Sequence, residues 1–75
     1  MFERINTGKL LPERIADEII KLITKTELRV GDKLPSEAEL MKSLNVGRSS
    51  LREAIKILVS RNIVEIKRGV GTFVS

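Results

Sequence analysis

Residues 45–62, "NVGRSSLREAIKILVSRN", hold the side chains of this chain best suited to gripping an anion. Arg48, Ser49, Ser50 and Arg52 follow Gly47 where a helix should begin. A guanidinium is a planar fork that bonds phosphates, carboxylates or guanine edges two hydrogen bonds at a time. Serine hydroxyls donate to the same acceptors, and the amides of a helix N-terminus point at anions. Gly47 has no Cβ, so a second backbone can come close. The helix dipole favours acids at this end rather than arginines. The pattern therefore implies a negative counter-charge carried by another molecule. Lys56 stands one turn beyond Arg52 on the same face, within reach of a polyanion's backbone.

The charge distribution agrees. The 14 Lys/Arg outnumber the 10 Asp/Glu, for a net charge of +4. Residues 1–45 hold eight of each sign, so the whole excess lies in the last thirty residues, where six cations face Glu53 and Glu65. A one-ended basic surface implies an anionic partner, which can be nucleic acid, acidic lipid or an acidic protein; scatter on a solvated surface is the plain alternative.

Enzymatic readings fare badly. The chain has no His and no Cys, so the commonest bases, nucleophiles and metal ligands are missing. Glu37 and Glu39 are two residues apart and face different sides of a helix. Gly69-Val70-Gly71 is no phosphate-binding fingerprint, because no helix follows it. With no Trp or Tyr and only two Phe, base stacking on aromatics is disfavoured, which favours duplex grooves over single strands. No cofactor is expected. The lack of cysteine fits a cytosol-like compartment, no apolar run approaches the ~20 residues of a membrane span, and the first ten residues lack the apolar core of an export signal.

The elements that must position these residues follow from period and punctuation. At 75 residues the chain is expected to form one small domain. Residues 1–10 have no clear period and are expected to form a flexible arm. Pro12 suits a first helical position, and Ile15, Ile19, Leu22 and Ile23, flanked by Ala16 and Ile20, predict a helix ending near Lys25. Gly31-Asp32 reads as a turn, with Asp32 a turn former rather than a ligand. Pro35 limits Lys33-Leu34 to a short extended piece. Ser36-x-x-Glu39 is a capping box that opens a short helix over about 37–44, with Ala38, Leu40, Met41 and Leu44 inward. Asn45 can adopt the left-handed conformation that closes it. A third helix is predicted over about 48–61, with Leu51, Ala54, Ile55, Leu58 and Val59 inward. Ile57 falls on its polar half without explanation. After Asn62 the period becomes 2, which predicts a hairpin over 63–75 whose tip carries Lys67 and Arg68.

Two helices joined by a tight turn form a helix-turn-helix, whose second helix places its N-terminal residues in the major groove. Arg48 and Arg52 are the candidates for base readout. Gly47, Ser49, Ser50 and the Ser36 end of the preceding helix are the candidates for phosphate positioning. Lys56, Lys67, Arg68 and Gly69 complete the candidate surface. Plainer roles stand beside these: Gly47, Ser49 or Ser50 as caps, Arg52 paired with a helix-two acid such as Glu39, Glu53 and Ser60 as solvent-facing residues, and the hairpin glycines as turn formers.

The stretch "LRVGDKLPSEAELMKSLNVGRSSLREAIKILVSRNIVEIKRGVGTFV" resembles the N-terminal winged-helix domain of the GntR family of bacterial transcription regulators, closest to its FadR-type branch. "GDKLPSE", "VGRSSLREAIKIL" and "RGVGTFV" carry the resemblance, which covers about residues 11–75. It implies an α+β winged helix-turn-helix: three helices, a short strand between the first two, a helix-turn-helix over about 37–56 and a two-stranded wing over about 63–75. It also implies operator binding by a homodimer on an inverted repeat of double-stranded DNA in the bacterial cytoplasm, at the nucleoid. DNA contacts map to Gly47, Arg48, Ser49, Ser50 and Arg52, and wing-tip contacts to Arg68 and Gly69. Two positions depart from the family: Ala38 stands where an arginine is usual, and Val70 where some relatives have a basic residue. Relatives carry a further, mostly helical domain that binds a small effector and dimerises. The chain is accordingly expected to be the DNA-reading fragment of a longer protein, or an unusually short one. The alternative from another class is a protein-interaction module that turns its basic face to an acidic partner; exposed Ile57 and Phe73 would favour it.

Overall fold

Each helix starts and stops where local chemistry dictates. The computed structural model describes residues 11–75, so the arm expected over residues 1–10 lies outside the described residues. Helix α1 (Pro12–Lys25) opens on proline, whose missing N–H has no partner to lose there. Helix α2 (Glu37–Leu44) is capped by Ser36, whose Oγ accepts from Glu39 N at 3.1 Å while Ser36 N donates to the Glu39 carboxylate at 2.8 Å. Helix α3 (Arg48–Ser60) starts at Gly47.

Three residues other than glycine end the helices in the left-handed conformation: Glu27 (φ 57°), Asn45 (φ 56°) and Asn62 (φ 60°). The chain then folds back on itself. Leu28 N donates to Ile23 O at 3.0 Å and Ile63 N to Leu58 O at 2.9 Å, which satisfies carbonyls that a helix end leaves open. The role given to Asn45 is borne out, and Glu27 plays the same part unforeseen.

Strands β1 (Val64–Lys67) and β2 (Gly71–Val74) pair antiparallel, with Val64 opposite Val74 and Lys67 opposite Gly71. The short strand expected between α1 and α2 is a single bridge, Lys33 with Phe73. It is held by Gly31 N to Val74 O and Leu34 N to Thr72 O, both 2.8 Å, and by Val74 N to Asp32 O at 2.9 Å. Pro35 has no N–H with which to extend the ladder. Three helices and a two-stranded sheet in this order form a winged helix-turn-helix, as expected.

The core joins Ile15, Ala16 and Ile19 of α1 to Leu51, Ala54, Ile55 and Leu58 of α3, with Leu34, Leu40 and Val64 closing its ends. Ala16, expected at the flank, is fully buried. Other inward assignments fail. Ala38 is exposed, because the short α2 buries only Leu40 fully. Val59 is 37% exposed, whereas Ile57 packs partly against the core. The chain reversal through Asn62 brings Ile63 back beside the core.

Candidate nucleic-acid interface

The turn Asn45-Val46-Gly47 sets α3 against α2 and leaves the first turn of α3 on the surface. Gly47 is the cap residue itself, at φ −82° and with no side-chain cap bond, so neither serine caps the helix. Its φ is one any residue adopts, and a Cβ built there meets nothing within 4 Å. Among the described residues, nothing requires glycine at this position. Ser49 is exposed and Ser50 half-buried.

Arg48 and Arg52 are not without a counter-charge in the free chain, which corrects the expectation that only another molecule supplies one. Glu37, the first residue of α2, lies between them. Arg52 donates Nε to Oε2 at 2.9 Å and Nη2 to Oε1 at 3.2 Å, and Arg48 Nε lies 3.1 Å from Oε1. Glu39, the acid considered for this pairing, is engaged by Ser36 instead. The hydrogen bond from Arg52 does most to hold the Glu37 carboxyl below its usual value of 4.5; partial desolvation opposes it, and the charges of Arg52 and Arg48 and a hydrogen bond from Arg48 add to the lowering. Arg52 is raised in turn by its bond to Glu37 and by that carboxylate's charge. The Ser36 backbone and hydroxyl bonds lower Glu39 in the same way. The guanidinium groups still face outward: the Arg48 and Arg52 side chains are 61% and 63% exposed.

The rest of the candidate surface gathers around the hairpin. A groove of about 470 Å³ runs between α3 and β1, with Arg52, Lys56 and Arg68 at its rim and Leu40, Ile55 and Ile66 along its floor. Ile66, which the strand period turns toward the helices, is 57% exposed in this groove rather than packed. Ser36, Lys67, Arg68 and Gly69 border a second hollow beside the hairpin tip. Gly69, at φ +75°, makes the turn that puts Arg68 at the tip. Lys67 is drawn back from the tip, its Nζ 4.7 Å from the centroid of the Phe73 ring. Lys56 pairs with Glu53 at 3.4 Å.

Sequence reasoning missed Glu37 as a partner of the arginines, and it missed Lys33, which borders the same hollow as Ser36. The only available signal for Glu37 was an acid in the first turn of α2. Phe73 is half-buried, like Ile57, so neither forms the exposed apolar patch a protein-interaction module would need. Among the described residues, no group of three or more His, Cys, Asp or Glu could hold a metal ion, and no helix is long and apolar enough to cross a membrane.

Comparison with known proteins extends this geometry. The family described as Bacterial regulatory proteins, gntR family, matches residues 11–74. The HTH-type transcriptional repressor NanR of Escherichia coli (strain K12 / DH10B) is 42% identical over 67 residues, which span 89% of this chain and 26% of the relative. The chain thus spans about a quarter of the length of the curated relatives it matches. Among solved structures, Streptococcus agalactiae GntR superposes with a TM-score of 0.83 at 49% identity, covering 87% of this chain and 32% of that one. The DNA-binding domain of AraR in complex with operator ORX1 superposes with a TM-score of 0.77 at 34% identity, covering 85% and 77%.

Proposed function

Because the chain belongs to the GntR family of bacterial regulatory proteins, we propose that it reads operator DNA for a transcription regulator of the repressing kind that the name of NanR describes. The observation that carries the reading is the pair Arg48 and Arg52, side by side at the start of α3 with most of each side chain exposed. The first turn of α3 enters the major groove. Arg48 and Arg52 fork onto guanine O6 and N7. Gly47, which no described residue requires to be glycine, lets the DNA backbone approach. Ser49, Ser50 and Ser36 donate to phosphates, as do Lys56 and Lys67, while Arg68 and Gly69 bring the wing tip to the minor groove. The groove between α3 and β1 receives the strand that runs between those two insertions.

The FadR-type branch rests on the motifs "GDKLPSE" and "VGRSSLREAIKIL". A homodimer on an inverted repeat, a small-molecule effector bound by a further domain, and a cytoplasmic site of action at the nucleoid belong to the same reading, as does a role without catalysis. The test is selection of bound duplexes from a random library, followed by a salt titration on the selected palindrome. Affinity should fall linearly on logarithmic axes, with a slope set by the number of phosphates contacted. A flat salt response, or a library that yields no preferred sequence, refutes the reading.

A further inference from the structure

The two faces of the hairpin differ in kind. Val64 is buried, and Ile66 and Thr72 look into the groove beside α3. Residues opposed across an antiparallel pair share a face. Register therefore puts Lys67 with Gly71, Glu65 with Phe73, and, through the isolated bridge, Lys33 with Phe73. All five stand on the face opposite Val64 and Ile66, and Lys33, Lys67 and Gly71 also border the hollow beside the hairpin tip.

Both lysines on that face are seated. A Cβ on Gly71 would lie 2.5 Å from Lys33 Cε, so the flexible end of the Lys33 stem lies across Gly71. Lys67 Nζ sits over the Phe73 ring at 4.7 Å, a cation–π contact that keeps the ammonium on this face. Glu65 is the one acid among the five, and no ion pair joins it or any other described carboxylate to Lys33 or Lys67. Two positioned ammonium groups with open donors suit phosphodiester oxygens, which accept a point charge without demanding a base sequence.

We propose that Lys33 and Lys67 make the outer face of the wing a second backbone-binding surface, which grips DNA phosphates beyond the wing tip, outside the half-site read by α3. The inference rests on the reading that the chain binds duplex DNA. It adds Lys33 to that surface and places the phosphates held by Lys67 in the flanking duplex.

The test compares two duplexes that share one half-site. One ends under the wing tip, and the other continues about one helical turn past it. The wild-type chain should bind the extended duplex more tightly and with a steeper salt slope, whatever the flanking sequence. Lys33→Gln, which keeps most of the stem, should shrink the slope on the extended duplex by roughly 0.9 and leave the short duplex nearly unaffected. Lys33→Arg should restore the loss, and Lys67→Gln should independently shrink the slope on the extended duplex. An unchanged slope for both glutamine variants on the extended duplex overturns the proposal while leaving α3 readout intact. Salt-insensitive binding of the wild type to both duplexes overturns the DNA reading itself, and this proposal with it.

Discussion

Replacing Glu37 by glutamine keeps the side chain's shape and removes its charge. In the free domain Glu37 occupies Arg52 Nε and Nη2 and sits 3.1 Å from Arg48 Nε. Of the five N–H donors on Arg52, three then remain: both on Nη1 and the second on Nη2. One N–H on Nη1 and one on Nη2 form the free end-on edge a guanine can use, so the carboxylate sets the plane in which Arg52 meets a base. Glutamine offers one acceptor oxygen and a donating NH2, so both teeth of the fork cannot be satisfied. Two effects of opposite sign follow. Net charge rises from +4 to +5, with 14 cations against nine acids, so affinity for any duplex should rise and its salt slope should steepen by at most one phosphate, roughly 0.9. At the same time, the preference for a selected site over a scrambled one should fall. The upper bound is the loss of one good bidentate base contact, roughly 5- to 150-fold. Anisotropy titrations of both duplexes at several salt concentrations measure the two quantities separately. If Glu37→Gln keeps the wild-type preference, the carboxylate does not orient the guanidinium and the reasoning fails.

Other perturbations separate readout from support. Arg52→Ala should lower the preference for the selected site by roughly 5- to 150-fold and relax one base position, seen by repeating the selection with the variant. Ser36→Ala removes the capping bond to Glu39 N and should cost about 0.5–2 kcal/mol in urea unfolding. Glu27→Gly relieves a left-handed residue at φ 57° and should add about 0.5–1 kcal/mol, observed as a higher Tm. The Glu37 and Glu39 carboxyls both sit below 4.5. Their contribution to stability is therefore complete above that value and is lost as pH falls through the lowered ones. Stability followed by circular dichroism should weaken below pH 4.5, and Glu39→Gln should weaken it less steeply there.

The sequence carried the elements well because each is announced locally. Pro12, the Ser36 box, Asn45 and the glycines of the hairpin are chemical stops and starts within a few residues of the boundary they make. Burial was less legible where a neighbour decides it. A helical wheel assumes one flat covering surface, but α3 packs against α1, α2 and the first hairpin strand at once. Ile57 is covered while Val59 is not. Lys33 was invisible as a partner of the hairpin for the same reason: its seat on Gly71 is made by pairing across the fold, not by spacing along the chain.

The arginines at the start of α3 show the limit most clearly. Their types and spacing demanded a negative partner, and that demand was physically sound. What the sequence did not disclose is that the partner lies fifteen residues upstream, brought into place by the α2–α3 turn. A carboxylate there does not replace an external anion. It engages Nε and one Nη of Arg52 and leaves the rest of the fork exposed, so the side chain is held in one orientation before any ligand arrives. Holding a long, rotamer-rich side chain in advance reduces the ordering cost of binding. On the proposed reading, base recognition by this helix depends on Glu37, which holds the fork, as well as on Arg48 and Arg52, which would make the contacts.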